Sequence, residues 1–227
     1  MSDDRGDDRR TIVRDGLGVG IATGAYGVSF GAVSVTSGLD VLQTCALSLL
    51  VFTGASQFAM VGVIASGGSP FAGALSALLL GTRNTLYGLR LAPLLDWRGR
   101  RRTAAAHLLI DESTAMSVTR ETTADARLGF LVTGGSIFVL WNLFTLVGAV
   151  AGETLGDPRD LGLDAAVGAA FLALLWPRLD RPLHRWVAVG AAAVAIGAVP
   201  VTSAGVPVLV AAAVALLAGL LASGRPA

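Results

Sequence analysis

Four polar residues interrupt two apolar stretches of this chain, and their positions make them candidates for a binding site. Ser56 and Gln57 lie in the middle of the stretch FTGASQF, and Arg83 and Asn84 lie in TRNTLYG. Inside a lipid bilayer, a polar side chain costs free energy unless it faces protein or water, so such residues are candidates for function. The alternative for Ser56 and Gln57 is that they form hydrogen bonds between helices.

Arg83 has apolar sequence on both sides and lies four residues before Tyr87, so the two side chains share one face of a helix. The guanidinium group presents a fork of donors that matches a carboxylate. Arg83 can therefore bind the carboxylate of a substrate, or form a permanent ion pair with Asp111 or Glu112. In a third interpretation it extends to the membrane surface, although Arg90 is better placed for that role.

Two adjacent acids, Asp111 and Glu112, lie in the segment HLLIDESTA. A carboxyl group that is shielded from water holds its proton more tightly and can exchange it near neutral pH. The acids therefore suit proton coupling, and either one can also bind an ammonium group. In the alternative, residues 103–118 form an amphipathic surface helix with both acids in water. His107 lies one turn before Asp111 and could relay protons, but a single histidine is more often an ordinary interfacial residue.

The elements that carry these residues are too apolar for a soluble domain. Of the 227 residues, 53% are hydrophobic and 15% are charged, whereas a soluble domain has about 25% charged residues. Between Gly16 and Leu95, the charged residues are Asp40, Arg83 and Arg90. The composition predicts an all-α fold, a polytopic integral membrane helix bundle in the cell (inner/cytoplasmic) membrane.

The pattern of apolar runs predicts about seven spans plus one short broken or re-entrant segment. The runs lie at about 17–37, 42–65, 70–95, 128–151, 164–177, 186–203 and 206–222. The segment 103–118 is more polar and is flanked by two arginine-rich loops, so we expect it to enter and leave by one face or to lie in the interface. Residues 1–15 form a hydrophilic tail, disordered or interfacial, and residues 16–223 form a single transmembrane domain.

Arginine placement predicts the orientation of the chain, because cytoplasmic loops are rich in basic residues. The loops at 98–102, 120–127 and 178–185 are predicted to be cytoplasmic, and the acidic link at 153–164 is predicted to face outward. For the N-terminus the signals conflict: three spans counted back from 98–102 place it outside, whereas the arginines of the tail favour the inside. A first run that does not span as a simple helix would remove this conflict.

The first run, GLGVGIATGAYGVSFGAVSV, contains the pairs Gly20 with Gly24 and Gly27 with Gly31 at four-residue spacing. Small residues at this spacing let helix backbones approach closely in lipid, and this packing interpretation is favoured. The same glycines also permit an unwound stretch, in which Gly27 and Gly31 would line a substrate site.

Several other classes of protein fit the sequence poorly. No phosphate loop, metal-ligand cluster or nucleic-acid-binding surface occurs, and no cofactor is predicted. The single cysteine, Cys45, excludes an intrachain disulfide. An intramembrane serine hydrolase would need Ser56 beside a base such as His107 or His184. GASQF is not the G-x-S-x-G nucleophile elbow, so we do not expect an enzyme.

Four motifs, GVSFG, FTGASQF, TRNTLYGLRL and HLLIDESTA, in this order and spacing, resemble the AzlC family of branched-chain amino acid exporters. The likeness is densest over residues 16–118. The resemblance implies efflux of branched-chain amino acids such as valine and leucine, together with a second, small membrane subunit of the AzlD type. The family often has His directly after the arginine, where this chain has Asn84, and LIDE replaces the more usual LTDE.

These observations together predict a secondary transporter, proton-coupled, that exports branched-chain amino acids. A zwitterionic substrate needs recognition of both charged ends and an apolar pocket for its side chain. The residues assigned to the substrate are Gly27, Gly31, Ser56, Gln57, Arg83, Asn84 and Tyr87, and those assigned to proton coupling are Asp111 and Glu112. The alternative is a non-transporting membrane assembly subunit.

Overall fold

The computed structural model describes residues 2–154, 172, 175, 176, 179–202 and 206–223, and these residues contain helices and no strand. The helices are α1 Ser2–Ala25, α2 Gly27–Thr36, α3 Val41–Leu50, α4 Ala55–Ala65, α5 Pro70–Leu95, α6 Gly99–His107, α7 Asp111–Val118, α8 Thr123–Thr154, α9 Pro182–Ala198 and α10 Val206–Ser223, with a 3-10 turn at Val199–Val201. This architecture confirms the predicted all-α membrane helix bundle.

Three helical stretches of the described residues are long and apolar enough to cross a membrane: Asp8–Thr36, Thr123–Thr154 and Pro182–Val201. Helices α3, α4 and most of α10 are apolar but shorter. The span predicted at 164–177 falls largely outside the described residues. The bundle therefore mixes full-length spans with short helices, and the short ones bring chain breaks into the apolar region.

The hydrophilic tail is helical in its described part, because α1 begins at Ser2 and continues into the first apolar run. Ile12 is 2% exposed, so packing anchors the end of this segment. The first run also does not unwind. Tyr26 separates α1 from α2, and its φ of −65° and ψ of −17° keep the backbone in the right-handed helical region.

Glycines bring the first two helices against α8. A Cβ atom added to Gly27 would lie 2.5 Å from the carbonyl oxygen of Trp141, and one added to Gly31 would overlap the carbonyl oxygen of Thr145. A methyl group at either position would therefore force the backbones apart. This contact confirms the packing interpretation of the glycine pairs, and the unwound alternative is wrong.

The run at 42–65, predicted as one span, is two helices, α3 and α4, with a break at residues 51–54. Gly54 has φ +59° and ψ −87°, a backbone conformation that glycine adopts at low cost. For the segment 103–118, a broken segment was one of the predicted alternatives, and the structure shows a break there. Helix α6 ends at His107, and residues 108–110 separate it from α7.

Aromatic packing fills the core between α2, α4 and α8. The ring of Phe30 lies 5.4 Å from that of Phe58 and 5.9 Å from that of Trp141, measured between ring centroids. All three residues are at most 4% exposed. Because α8 also packs against α1, α3 and α7, it is the helix on which both broken segments are assembled.

Candidate functional site

A cavity of about 380 Å³ lies where the two breaks meet. Its walls come from α1 and its junction with α2, from the α3–α4 break, from α5, from the start of α7 and from α8. The lining residues are Ala22, Thr23, Tyr26, Phe52, Thr53, Gly54, Ala55, Phe58, Arg83, Ile110, Asp111, Glu112, Ile137 and Trp141. The cavity therefore combines a charged group of side chains with a large aromatic and aliphatic surface.

The α3–α4 break is held by the side chain of Gln57. The Gly54 N–H donates a hydrogen bond of 2.9 Å to Gln57 Oε1, and Gln57 Nε2 donates one of 3.3 Å to the carbonyl oxygen of Leu47. Gln57 is fully buried. One amide thus serves backbone groups on both sides of the break. Without it the Gly54 N–H would lie in an apolar interior without a partner, whereas the Leu47 carbonyl would keep the N–H of Val51.

The α6–α7 break is held from two directions. Ser113 Oγ donates to the carbonyl oxygen of Leu108 at 2.7 Å and accepts from the N–H of Ile110 at 3.1 Å. Asn84, on α5, donates from Nδ2 to the carbonyl oxygen of Leu109 at 3.2 Å. The carbonyl oxygen of Ile110 accepts from the N–H of Thr114. Every carbonyl of the break, from residue 108 to 110, therefore has a donor.

The charged residues of the cavity lie at the start of α7. Asp111 and Glu112 occupy its first turn, where the helix dipole favours negative charge. Arg83 Nη1 lies 3.1 Å from Asp111 Oδ2, with the two side chains 21% and 28% exposed. Arg83 Nε has no hydrogen-bond partner among the described residues. The ion-pair interpretation of Arg83 thus matches the geometry, and Arg83 lines the cavity in this paired state.

The apolar wall is made of aromatic rings held by one another. Phe58 lies 5.9 Å from Tyr26 and 6.3 Å from Trp141 between ring centroids, the latter pair nearly perpendicular at 85°. Edge-to-face pairs of this kind add stability beyond the area that they bury. The surface is therefore a preformed apolar wall suited to an aliphatic group.

The N-terminus of α4 also faces the cavity, because Gly54 and Ala55 line it. The first N–H groups of a helix have no partner within it and carry positive partial charge. No acidic residue lies in the first turn of α4. The cavity therefore meets two helix N-termini: that of α7, which carries acids, and that of α4, which does not.

The residues predicted for the site divide into two groups. Arg83, Asp111 and Glu112 line the cavity together. The others lie outside its wall: Gly27 and Gly31 in the contact with α8, Gln57 and Asn84 on the two breaks, Ser56 buried next to Gly81, and Tyr87 partly exposed one turn after Arg83. Their assignment to the substrate stays a prediction, and no contact with the cavity supports it.

Sequence reasoning missed the aromatic wall and the backbone of the first break. Thr53 and Gly54 belong to the motif FTGASQF. Gly54 was the only local signal that the helix breaks there. Tyr26 and Trp141 gave no signal, because aromatic residues are common in apolar runs. His107 packs its ring 5.4 Å from that of Phe138 and does not line the cavity.

Ser56 lacks the partner that a nucleophile needs. Its hydroxyl is buried and forms no hydrogen bond with any described residue, and both His107 and His184 lie in the described part of the chain. No general base is therefore within hydrogen-bond reach of Ser56 in this conformation.

The fold and the cavity define an α-helical membrane protein built around two broken helices with a charged cavity between them. The family model described as AzlC protein matches residues 18–155, and the chain belongs to the AzlC family. The matched region contains the whole cavity.

The chain is similar to two curated membrane proteins along most of their length. It is 34% identical over 169 residues to an "Uncharacterized membrane protein" of Archaeoglobus fulgidus, covering 73% of this chain and 74% of that protein. It is 28% identical over 179 residues to "Inner membrane protein YgaZ" of Escherichia coli, covering 74% and 72%. No solved structure matches the chain significantly.

Proposed function

We propose that this protein is a secondary transporter of the cell (inner/cytoplasmic) membrane that exports branched-chain amino acids in exchange for protons. In this proposal it works with a small AzlD-like membrane subunit. The observation that carries the proposal is the placement of Arg83, Asp111 and Glu112 in one cavity between two helix breaks. Broken helices of this kind form the ion and substrate sites of many secondary transporters.

The cavity matches a small zwitterion with an aliphatic side chain. Its volume of about 380 Å³ lies within the range of small-molecule sites, roughly 300–1,000 Å³. The aromatic wall of Tyr26, Phe58 and Trp141 receives the side chain of the substrate. Glu112 binds the ammonium group, and the N-terminus of α4 supplies donors to the carboxylate.

Asp111 carries the coupling proton, with Arg83 as the group that senses it. When Asp111 is ionised, it holds the guanidinium group at 3.1 Å. In this position the remaining donors of its planar fork match the substrate carboxylate. Protonation of Asp111 removes the attraction, and Arg83 then leaves the position in which it binds the substrate. A bound proton and a bound substrate thus exclude each other through one arginine, which is the requirement for exchange of one against the other.

Export of valine from preloaded proteoliposomes, with the small subunit present, tests the proposal. Asp111→Asn and Glu112→Gln are expected to reduce export and substrate-dependent proton flux at least tenfold. Asp40→Asn is the matched control, because it removes one acid that does not line the cavity and asparagine still caps α3. Wild-type rates in both cavity variants would refute the role of the acids.

The same preparation separates a transporter from an assembly subunit. A non-transporting subunit would give no valine-dependent proton flux from the reconstituted pair, and the cavity substitutions would change only how much partner is recovered with it. Flux that appears with both chains and disappears in Asp111→Asn supports transport through this cavity.

A further inference from the structure

A second cavity, of about 440 Å³, lies on the other side of the α6–α7 break, between α5, α6 and α8. Its walls are mostly apolar and include Gly88, Leu109 and Phe130. It does not share the acids of the first cavity. An apolar crevice of this size in a membrane protein is poorly suited to water, because its lining offers few hydrogen-bond partners. A lipid acyl chain can fill such a crevice, because it makes apolar contacts with the lining.

A run of three arginines on α6 ends in the wall of this crevice. Arg102 lies in its wall, and Arg100 and Arg101 precede it on α6. All three are exposed, and none forms an ion pair with a described residue. Several arginines beside an apolar crevice match the phosphate and the chain of an anionic lipid.

The position of these arginines on α6 is unfavourable unless an anion is present. They occupy the first turn of the helix, which contains no acidic residue, and the N-cap Arg98 makes no side-chain capping bond. Positive charge at a helix N-terminus is repelled by the helix dipole, and the arginines also repel one another. A phosphate group bound there would offset both terms and accept from the uncapped N–H groups.

Trp97, which lines the crevice, favours a position at the depth of the lipid headgroups. The Trp97 ring packs at 75° against the ring of Phe130, with 5.6 Å between the centroids. The guanidinium carbon of Arg127 lies 5.8 Å from the centroid of the Trp97 ring. Tryptophan favours the interface between hydrocarbon and water. Arg127 is already engaged, donating to the carbonyl oxygens of Leu95 and Asp96. The arginines of α6 are therefore the groups available to a headgroup at this level.

We propose that this crevice binds one anionic phospholipid, with its phosphate at the N-terminus of α6 beside Arg102 and an acyl chain along α5 past Gly88. The site is separate from the transport cavity and does not depend on the proposed transport activity. It joins the arginine-rich loop, predicted to be cytoplasmic, to the helix that carries Arg83 and Asn84.

Lipid binding to the delipidated full chain in detergent, followed by native mass spectrometry and thermal unfolding, tests this site. Phosphatidylglycerol is compared with phosphatidylcholine of the same acyl chains and with soluble glycerol phosphate. We expect phosphatidylglycerol to bind most tightly, and Arg102→Gln to weaken it about fivefold, the effect of one arginine near an anionic headgroup. Arg181→Gln, an exposed arginine outside the crevice, removes the same charge and should leave the affinity unchanged.

A second variant tests the crevice itself. Gly88→Leu fills the crevice from α5. A Cβ atom at this position would lie 3.5 Å from the Leu109 side chain, without overlap, so the helix should stay intact. The variant should no longer retain phosphatidylglycerol. Equal binding of both lipids, equal losses in Arg102→Gln and Arg181→Gln, or glycerol phosphate binding as tightly as phosphatidylglycerol would each overturn the proposal. Equal losses in the two arginine variants would mean that the arginines of α6 serve only to orient the chain in the membrane.

Discussion

The two helix breaks that meet at the cavity are held in different ways. At the α3–α4 break, Gln57 belongs to the broken segment itself and bonds to both of its sides. At the α6–α7 break, part of the support comes from another helix, because Asn84 reaches across from α5. Its neighbour Arg83 pairs with Asp111 at the start of α7. Helix α5 therefore holds the second break at two successive residues, once through the backbone and once through a charge.

This difference separates a fixed part of the site from a movable one. A break held by its own side chain keeps its shape whatever the neighbouring helices do. A break held from α5 changes when α5 and α7 move relative to each other, and the acids that we assign to substrate and proton lie on α7. We infer that the α3–α4 break is the frame of the cavity and that the α6–α7 break responds to protonation.

The largest expected effect is that of Arg83→Gln. The substitution leaves the Asp111 carboxylate without its counter-charge in a partly buried site, and we expect a loss of about 1–3 kcal/mol in unfolding free energy, less than for a fully buried pair. Export should fall to background. The double variant Arg83→Gln/Asp111→Asn should regain most of the stability but none of the export. Chemical unfolding in detergent and valine export measure the two effects. If the double variant is as unstable as the single one, the unpaired Asp111 carboxylate is not the cause of the lost stability.

The next effect is that of Gln57→Leu at the first break. The Gly54 N–H loses its acceptor inside the protein, and the Leu47 carbonyl loses one donor, so we expect a loss of about 2 kcal/mol.

Gln43→Leu is the matched control for Gln57→Leu. Gln43 Oε1 accepts the N–H of Asp40 at 3.0 Å in the same capping arrangement, but in an exposed position. Water can replace that bond, and the loss should stay below about 1 kcal/mol. Equal losses in the two variants would mean that burial of the first break is not what makes Gln57 important.

A smaller effect is expected from Asn84→Ala at the second break, about 1 kcal/mol, because one carbonyl loses its donor. Hydrogen exchange should rise at the start of α7 in this variant and at the start of α4 in Gln57→Leu. Asn84→His restores the residue that the family often has here and keeps an N–H donor, so it should protect α7. Unchanged exchange at α7 in Asn84→Ala would contradict the claim that α5 holds the second break.

Local signals in the sequence predicted those elements whose ends are determined locally. The run at 70–95 matches α5, Pro70–Leu95, because Ser69 caps the helix and proline follows at its first position. The break of 103–118 was visible in its polarity. The break inside 42–65 was not, because its only local signal was Gly54. The bond from Gln57 to Leu47 depends on how the chain folds back.

For the site, the sequence predicted the charged residues and missed the apolar ones. Arg83 and Asp111 are conspicuous in an apolar chain, and their pairing was one of the open alternatives. Tyr26 and Trp141 are ordinary in such a chain, and only the close approach of α2 to α8 brings them together. Gly27 was assigned to the substrate, although its small size is used to allow that approach.

The smallest effect is expected from Ser56→Ala, next to Gln57 in the same motif. Ser56 is 1% exposed, and its hydroxyl has no hydrogen-bond partner among the described residues. Removing an unsatisfied buried hydroxyl should change the unfolding free energy by less than about 0.5 kcal/mol. Valine export should stay at the wild-type rate, and any reaction that needs a serine nucleophile would be lost. If instead export fails while the fold is intact, the hydroxyl meets the substrate in another conformation. The first break would then belong to the moving part of the site, and the distinction between frame and responsive break would not hold.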